Sequence, residues 1–424
     1  MAIEKNGVLH VDVLVVGAGP AGLAAAIAAK EDGIDNLLVI EREHNPGGIL
    51  RQCIHNGFGL HRFKEELTGP EYAQRDIDKA REMGIEIQTD TTVLSVDADH
   101  TVTCVSAQHG VQVFSAKAIV LAMGCRERPR GALATPGTRC AGIYSAGTAQ
   151  KFVNLEGFMP GKRCVILGSG DIGLIMARRM TLQGAKVLAC VELMPFSSGL
   201  NRNIVQCLND YDIPLYLSHT VVDIQGKERL TGVTVAKVDE NRQPIPGSEI
   251  QFDCDTLLLS VGLIPENELS EGAGVKMSPL TSGAEVDDTL QTNIPGIFAC
   301  GNVLHVHDLV DHVSNESFKA GHAAAAYARG EATEGDTISV VDGDGVRGTV
   351  PQRIRKGVNT SVDLMFRPSG VFRKATCIVK CGGVEIARKK APIFTPGEMA
   401  VVTLKPEVVA SLNDTVTVEI ERGE

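Results

Sequence analysis

Two glycine-rich turns hold the clearest chemistry in this 424-residue sequence. The first is Gly17-Ala18-Gly19-Pro20-Ala21-Gly22, preceded by the apolar run Val11, Val13, Leu14, Val15 and Val16, which suits a strand buried on both faces. An Ala-rich segment to Lys30 then has a helical pattern, and a second apolar run, 37–40, closes on Glu41 and Arg42. Each position suits one task. Gly17 permits a tight turn, Gly19 leaves the backbone bare for a pyrophosphate, and Gly22 lets helix and strand pack closely. Pro20 and Ala21 open the helix, whose N-terminal N–H groups face the phosphates. Glu41 falls where a carboxylate accepts ribose hydroxyls. A glycine pattern alone is weak evidence. With a strand before it, a helix after it and an acid about 20 residues on, it specifies a dinucleotide site.

The plan recurs at 162–192, with Gly168-Ser169-Gly170-Asp171-Ile172-Gly173 in the turn and Glu192 at the second strand end. One copy alone could be a structural helix turn. Two copies well apart predict two bound dinucleotides.

Other reactive side chains carry competing readings. Cys53 lies in a polar, Gly-rich loop, 45–63, as a redox thiol or an inert packed cysteine; with no partner at short spacing, the inert reading is preferred. Cys377 and Cys381 lie four apart on an expected strand with no ligand set nearby. His305, His307 and His312 with Asp308 and Asp311 have metal-like density, yet Val303, Leu304, Val306 and Leu309 around them are apolar. No metal site is assigned. Arg126, Arg128 and Arg130 steer an anionic substrate, brace a crossover or sit on a solvated loop.

Composition excludes several classes. A net charge of −11 argues against nucleic acid and anionic membrane surfaces, and the absence of Trp removes much stacking capacity. No apolar run approaches the roughly 20 residues of a membrane span, and the first residues have no apolar core of a secretory signal. The eleven scattered cysteines, many inside apolar strands, suggest a reducing cytoplasm.

The elements that must position these residues follow the same logic. A helix is expected at 69–83, a strand at 85–88, a meander over 91–113 and a buried strand at 118–122. A second meander covers 213–252, and a helix covers 318–329. From 335 onward, short strands at near-regular spacing predict a small all-β sandwich. The fold class is therefore α/β, with two Rossmann-like dinucleotide-binding domains of three-layer ββα type and a C-terminal β domain. The expected boundaries are 8–150 and 266–334 for the first domain, 151–265 for the second and 335–424 for the last.

With GAGPAG, a GSGDIG unit inserted after an A-M-G strand end, and a closing TNIPGIFACGN, residues 8–330 resemble the pyridine nucleotide–disulfide oxidoreductase superfamily. GCRERPR and GIYSAGTAQKFVN are similar to flavin subunits of sarcosine oxidase, opine oxidase and hydrogen cyanide synthase. NPGGILRQCIHNGFGL and GNVLHVHDLVD resemble the FAD-dependent oxidoreductases that accompany glycerol-3-phosphate dehydrogenases. The resemblance implies FAD on the first unit, held also by Gly48, Gly124, Gly301 and Asn302, and NAD(P)H on the second, with Gly262. The segment after Gly301 would border the isoalloxazine and order its pyrimidine edge through backbone N–H groups. Two departures stand out. The family's closing Gly-Asp is here Gly301-Asn302, and the redox Cys pair and dimerisation domain of disulfide reductases are not recognisable in the sequence. Glu192 repels a 2′-phosphate, and no Arg follows before Arg202, so NADH is expected. The expected function is FAD-dependent NADH oxidation with electrons passed to a second protein chain, a dehydrogenase of glycerol-3-phosphate or amine/opine type. A stand-alone NADH oxidase or amine/opine dehydrogenase, and a non-catalytic nucleotide-binding regulator, are the alternatives.

Overall fold

The first apolar run forms strand β1 (Val8–Val16), the Ala-rich segment helix α1 (Pro20–Glu31) and the second run strand β2 (Leu37–Ile40). This is a computed structural model, and it describes residues 3–5, 7–331 and 335–422. α1 buries every residue from Ala21 to Ala29, and the small side chains that dominate the run let neighbouring elements approach closely. Helix α2 (Gly69–Glu82) starts on a reciprocal cap: the Thr68 hydroxyl accepts from the Glu71 N–H at 3.4 Å, and the Glu71 carboxylate accepts from the Thr68 N–H at 2.7 Å.

One expectation fails next. The meander's last strand and the buried strand at 118–122 are a single element, β3 (Gly110–Leu121). No glycine or proline interrupts Phe114 to Lys117, so the chain stays extended. Its first half pairs antiparallel with Thr101–Ser106, and from Phe114 onward it runs parallel to β1.

The chain divides into two compact units, Met1–Cys125 with Pro265–Glu424, and Arg126–Ile264. The second unit therefore begins well before residue 151. The reason is packing: β4 (Ile143–Ser145) pairs in parallel with β7 (Thr256–Leu259), which pairs with β5 (Arg163–Leu167). Helix α3 (Asp171–Leu182) leads from β5 to β6 (Lys186–Glu192), and Leu215–Leu217 completes a five-stranded parallel sheet. The meander is His219–Gly226, Leu230–Lys237 and Ile250–Phe252.

On returning to the first unit, β8 (Ile297–Ala299) adds to β3 in parallel, with Ile297 beside Ile119. The parallel order there is Glu86–Gln88, β2, β1, β3, β8. Helix α4 (Val310–Ala328) starts eight residues before the expected 318, because its first turns bury polar side chains, Asp311, Ser314, Glu316 and Ser317, that do not read as an apolar face.

The C-terminal strands form two sheets around a shared core that includes Val340, Leu364, Phe366, Val379 and Leu404. One sheet has five strands, from Arg353–Arg355 at one edge to Val384–Phe394 at the other, and one has three. This region is not a separate compact unit: the Gln352 side chain accepts from the Val286 N–H at 2.9 Å, and Arg355 pairs with Asp288 at 2.9 Å.

Candidate cofactor-binding site

The three glycines of the first turn have three different surroundings. Gly17 adopts φ +103°, where a side chain is strained, and a Cβ there would lie 2.6 Å from the Ala122 carbonyl oxygen. A Cβ on Gly22 would meet the Gly17 carbonyl oxygen at 1.8 Å. A Cβ on Gly19 would find nothing closer than Gly48 Cα at 3.9 Å. Gly19 is thus bare toward open space, and no side chain caps the α1 N-terminus that starts on it. Gly48, at φ +58°, backs onto this turn, and Gly301 lies against Ala21, so the structure brings Gly17 to Gly22, Gly48 and Gly301 together. Gly124, at φ +75°, has open space around it, and its carbonyl accepts from the Glu266 N–H at 3.0 Å. Arg42 is exposed.

The second turn repeats the arrangement in the other unit. Gly168 has φ +98°, a Cβ on Gly173 would meet Ser260 Cβ at 2.7 Å, and Gly170 has no neighbour nearer than 3.6 Å. No side chain caps α3 at Gly170. Asp171 turns back to accept from the Leu200 N–H at 2.8 Å and the Asn203 amide at 2.7 Å. Ile172 is half-buried, and Gly262, at φ +103°, accepts from the Arg128 N–H at 3.0 Å. Arg130 reaches the Gly137 carbonyl at 3.4 Å, a bracing contact. The sequence reading missed Glu127, which accepts twice from the Gly147 N–H, at 2.9 and 2.8 Å, while burial raises its pKa.

Glu41 and Glu192 share a task the spacing did not reveal. Glu41 accepts from the Ala18 N–H at 2.8 Å and the Glu43 N–H at 2.9 Å. Glu192 accepts from the Ser169 N–H at 2.9 Å, the Ser169 hydroxyl at 2.5 Å and the Met194 N–H at 2.9 Å. Each buried carboxylate clamps its own glycine turn and keeps lone pairs for further donors.

The histidine-rich segment separates on folding. Asp308 pairs with Arg367 at 2.5 Å and accepts from the Met399 N–H at 2.7 Å. Asp311 accepts from Gly59 and Arg62 N–H groups at 3.2 and 2.9 Å and so pins the long loop. His312 lies beside His61, with ring centroids 6.0 Å apart, and burial lowers its pKa. His305 and His307 turn inward to Glu316, a residue the sequence reading did not select. The His307 backbone N–H donates to the Asn302 side-chain oxygen at 3.0 Å, closing the turn on itself. The Asn302 amide faces Cys125 Sγ at 3.5 Å.

The sequence profile described as "Pyridine nucleotide-disulphide oxidoreductase" matches residues 11–330. The chain belongs to this family. Members of the pyridine nucleotide-disulphide oxidoreductases bind FAD and NAD(P)H, and this chain is an FAD-dependent NAD(P)H oxidoreductase with the family's two Rossmann-like domains. It is 24% identical to the HcnB subunit of hydrogen cyanide synthase from Pseudomonas protegens over 70% of this chain and 66% of that protein. It is 25% identical to an opine oxidase subunit from Agrobacterium tumefaciens over 63% of this chain and 55% of that protein. The match thus spans a little over half to two thirds of these relatives. The thioredoxin reductase structure from T. acidophilum shares the fold, with a TM-score of 0.63 at 24% identity, covering 76% of this chain and 99% of that one.

The bare Gly19 and Gly170 turns and uncapped helix ends fit the diphosphates of such cofactors. None of the eleven cysteines is in a disulfide. The Cys53 carbonyl accepts from the Gly69 N–H at 2.9 Å, and burial pushes its thiol up to about 12, far from the thiolate range of reactive cysteines.

Proposed function

We propose that this chain oxidises NADH at a bound FAD and passes the electrons to a second protein, a substrate dehydrogenase of the glycerol-3-phosphate or amine/opine type. One observation carries the reading: two glycine turns are bare toward open space, while burial pushes the thiol of Cys53, in the long loop after β2, up to about 12. In this reading the electrons leave by an exit other than a disulfide. The hydrogen cyanide synthase and opine oxidase relatives are both named as subunits, which supports a partner.

In this reading residues of the first unit hold FAD: Gly17 shapes the turn, Gly19 and the α1 N-terminus receive the pyrophosphate, and Gly301 and Asn302 close the site. Gly168, Gly170, Gly173 and the α3 N-terminus receive the nicotinamide dinucleotide. Bound FAD supplies the two-electron acceptor for NADH. Glu192 favours NADH, because its carboxylate next to the turn repels a 2′-phosphate. No helix among the described residues is long and apolar enough to cross a membrane, and we read the protein as cytoplasmic.

Anaerobic titration of the flavin-replete protein tests the reading. NADH should bleach the flavin, at a rate at least tenfold above NADPH, about 1.4 kcal/mol. A non-catalytic regulator would bind both cofactors without bleaching. Equal rates with the two nucleotides would overturn the role given to Glu192.

A further inference from the structure

Three buried side chains meet behind the Gly301 turn. His305 Nε2 lies 2.5 Å from Glu316 Oε2, and His307 Nε2 lies 3.4 Å from the same oxygen. All three donor atoms fall within 4.8 Å of one another, and their side chains are at most 5% exposed. The His307 ring has a fixed orientation. Its Nδ1 is 3.0 Å from the His305 carbonyl oxygen, which only accepts, so Nδ1 carries the hydrogen. In the neutral ring Nε2 then bears a lone pair, 3.4 Å from a carboxylate oxygen. That buried nitrogen has no hydrogen-bond partner.

Two electron-rich atoms facing each other away from water raise the free energy unless a cation lies between them. A proton is one such cation, but an N–H···O bond between charged partners closes to about 2.7–2.9 Å. Donors around a tetrahedral metal ion, each about 2.1 Å from it, stand about 3.4 Å apart. The His307–Glu316 spacing has the second value. We infer that His305 Nε2, His307 Nε2 and Glu316 Oε2 bind one divalent transition-metal ion, of which zinc(II) is the type. Two imidazoles and one carboxylate suit Zn(II), Co(II) or Fe(II) and not Mg(II) or Ca(II), which prefer oxygen alone. Binding displaces the proton shared by His305 and Glu316 and opens their 2.5 Å contact. The second shell is already built: Glu316 Oε1 accepts from the Gly301 N–H at 2.8 Å, and Asp308, neutralising Arg367 at 2.5 Å, keeps that cation from competing. The ion would thus tie α4 to the turn that carries Asn302.

The test uses the full-length, flavin-replete protein after dialysis against a chelator. Zn(II) and then Co(II) are titrated, metal content is measured after gel filtration, and the parent is compared with His307→Gln and Glu316→Gln. The parent should retain one ion per chain, melt at a higher temperature with Zn(II), and give a visible Co(II) band to the red of the flavin. His307→Gln should weaken binding at least a hundredfold and abolish the band. It keeps the Glu316 bond to Gly301, so it decides the matter if Glu316→Gln fails to fold. A parent that retains no stoichiometric ion would overturn the inference in favour of a protonated His307. So would a His307→Gln variant that binds as well as the parent, since cysteine capture survives that change.

Discussion

At the scale of the residue, the two glycine turns make contrasting predictions. A Cβ on Gly22 collides with the Gly17 carbonyl oxygen at 1.8 Å, whereas one on Gly19 has open space to 3.9 Å. Gly22→Ala should therefore destabilise the folded chain by about 3 kcal/mol or more, read from the urea midpoint. Gly19→Val should fold yet purify without flavin, and Gly170→Val should keep flavin and lose NADH-dependent bleaching. Equal flavin loss in both folded variants would show that the cofactors are assigned to the wrong turns. Cys53 gives a chemical prediction. With its pKa near 12, about one thiol in ten thousand is ionised at pH 8, so iodoacetamide should leave it unmodified while the protein is native. Cys53→Ser should keep NADH-to-dye turnover within about threefold. A hundredfold loss with flavin still bound, about 2.7 kcal/mol of barrier, would restore the thiol route. The glycines were legible because their job depends on lacking a side chain, which the letter itself states. Glu316 was not, because nothing in its local spelling says that a chain reversal at Gly301 brings His305 and His307 back onto it.

At the scale of the element, what the sequence revealed followed from apolar periodicity, and what it hid was polar. β1, β2, β5 and β6 are largely buried apolar runs; β1 and β5 lead into the glycine turns, and β2 and β6 end at Glu41 and Glu192, as expected. α4 was read as starting near 318 because Asp311, Ser314, Glu316 and Ser317 occupy its inward face, each satisfied by a distant partner or by the helix backbone. Only after them does the small-residue stripe Ala320, Gly321, Ala324 and Ala325 appear. That stripe sets how closely α4 approaches α1. A Cβ on Gly321 would lie 2.2 Å from the Ala25 carbonyl oxygen. Gly321→Leu should force the helices apart and cost about 3 kcal/mol or more, with flavin released at lower denaturant than the unfolding of the second unit. A variant as stable as the parent would mean that α4 packs elsewhere in solution. Glycine inside a helix normally costs about 1 kcal/mol relative to alanine, so its presence here needs the packing explanation.

At the scale of the whole molecule, the question is where the electrons go and what the C-terminal strands contribute. The sequence reading took 335–424 as a separate domain because its composition changes and no nucleotide motif recurs. Packing argues otherwise: Arg367 forms a bidentate pair with Asp308, at 3.0 and 2.5 Å, and donates to the Val306 carbonyl at 3.0 Å, inside the turn that leads from Gly301 into α4. Removing these strands would expose that turn, so deletion cannot separate docking from flavin binding. A point change can. Arg367→Met keeps the stem and leaves the partly buried Asp308 without its cation, which should loosen the turn by about 1–3 kcal/mol and lower flavin affinity with little change at the second unit. The electron route proposed above can be tested on the lone chain. Burial pushes the Cys53 thiol up to about 12, and the hydrogen cyanide synthase and opine oxidase relatives are components called subunits. If electrons pass to a second protein, the lone, flavin-replete chain should oxidise NADH slowly with oxygen and rapidly with artificial dyes, and should reach tens of turnovers per second only with the proposed dehydrogenase present. The measurement is steady-state turnover of the purified chain with oxygen, small amines and hydroxy acids, each supplied without other protein. If any of them sustains tens of turnovers per second, a rate typical of a complete enzyme, the chain needs no partner and the stand-alone oxidase or dehydrogenase is the right description. If dyes alone sustain it, the missing component is the protein that accepts or delivers the electrons.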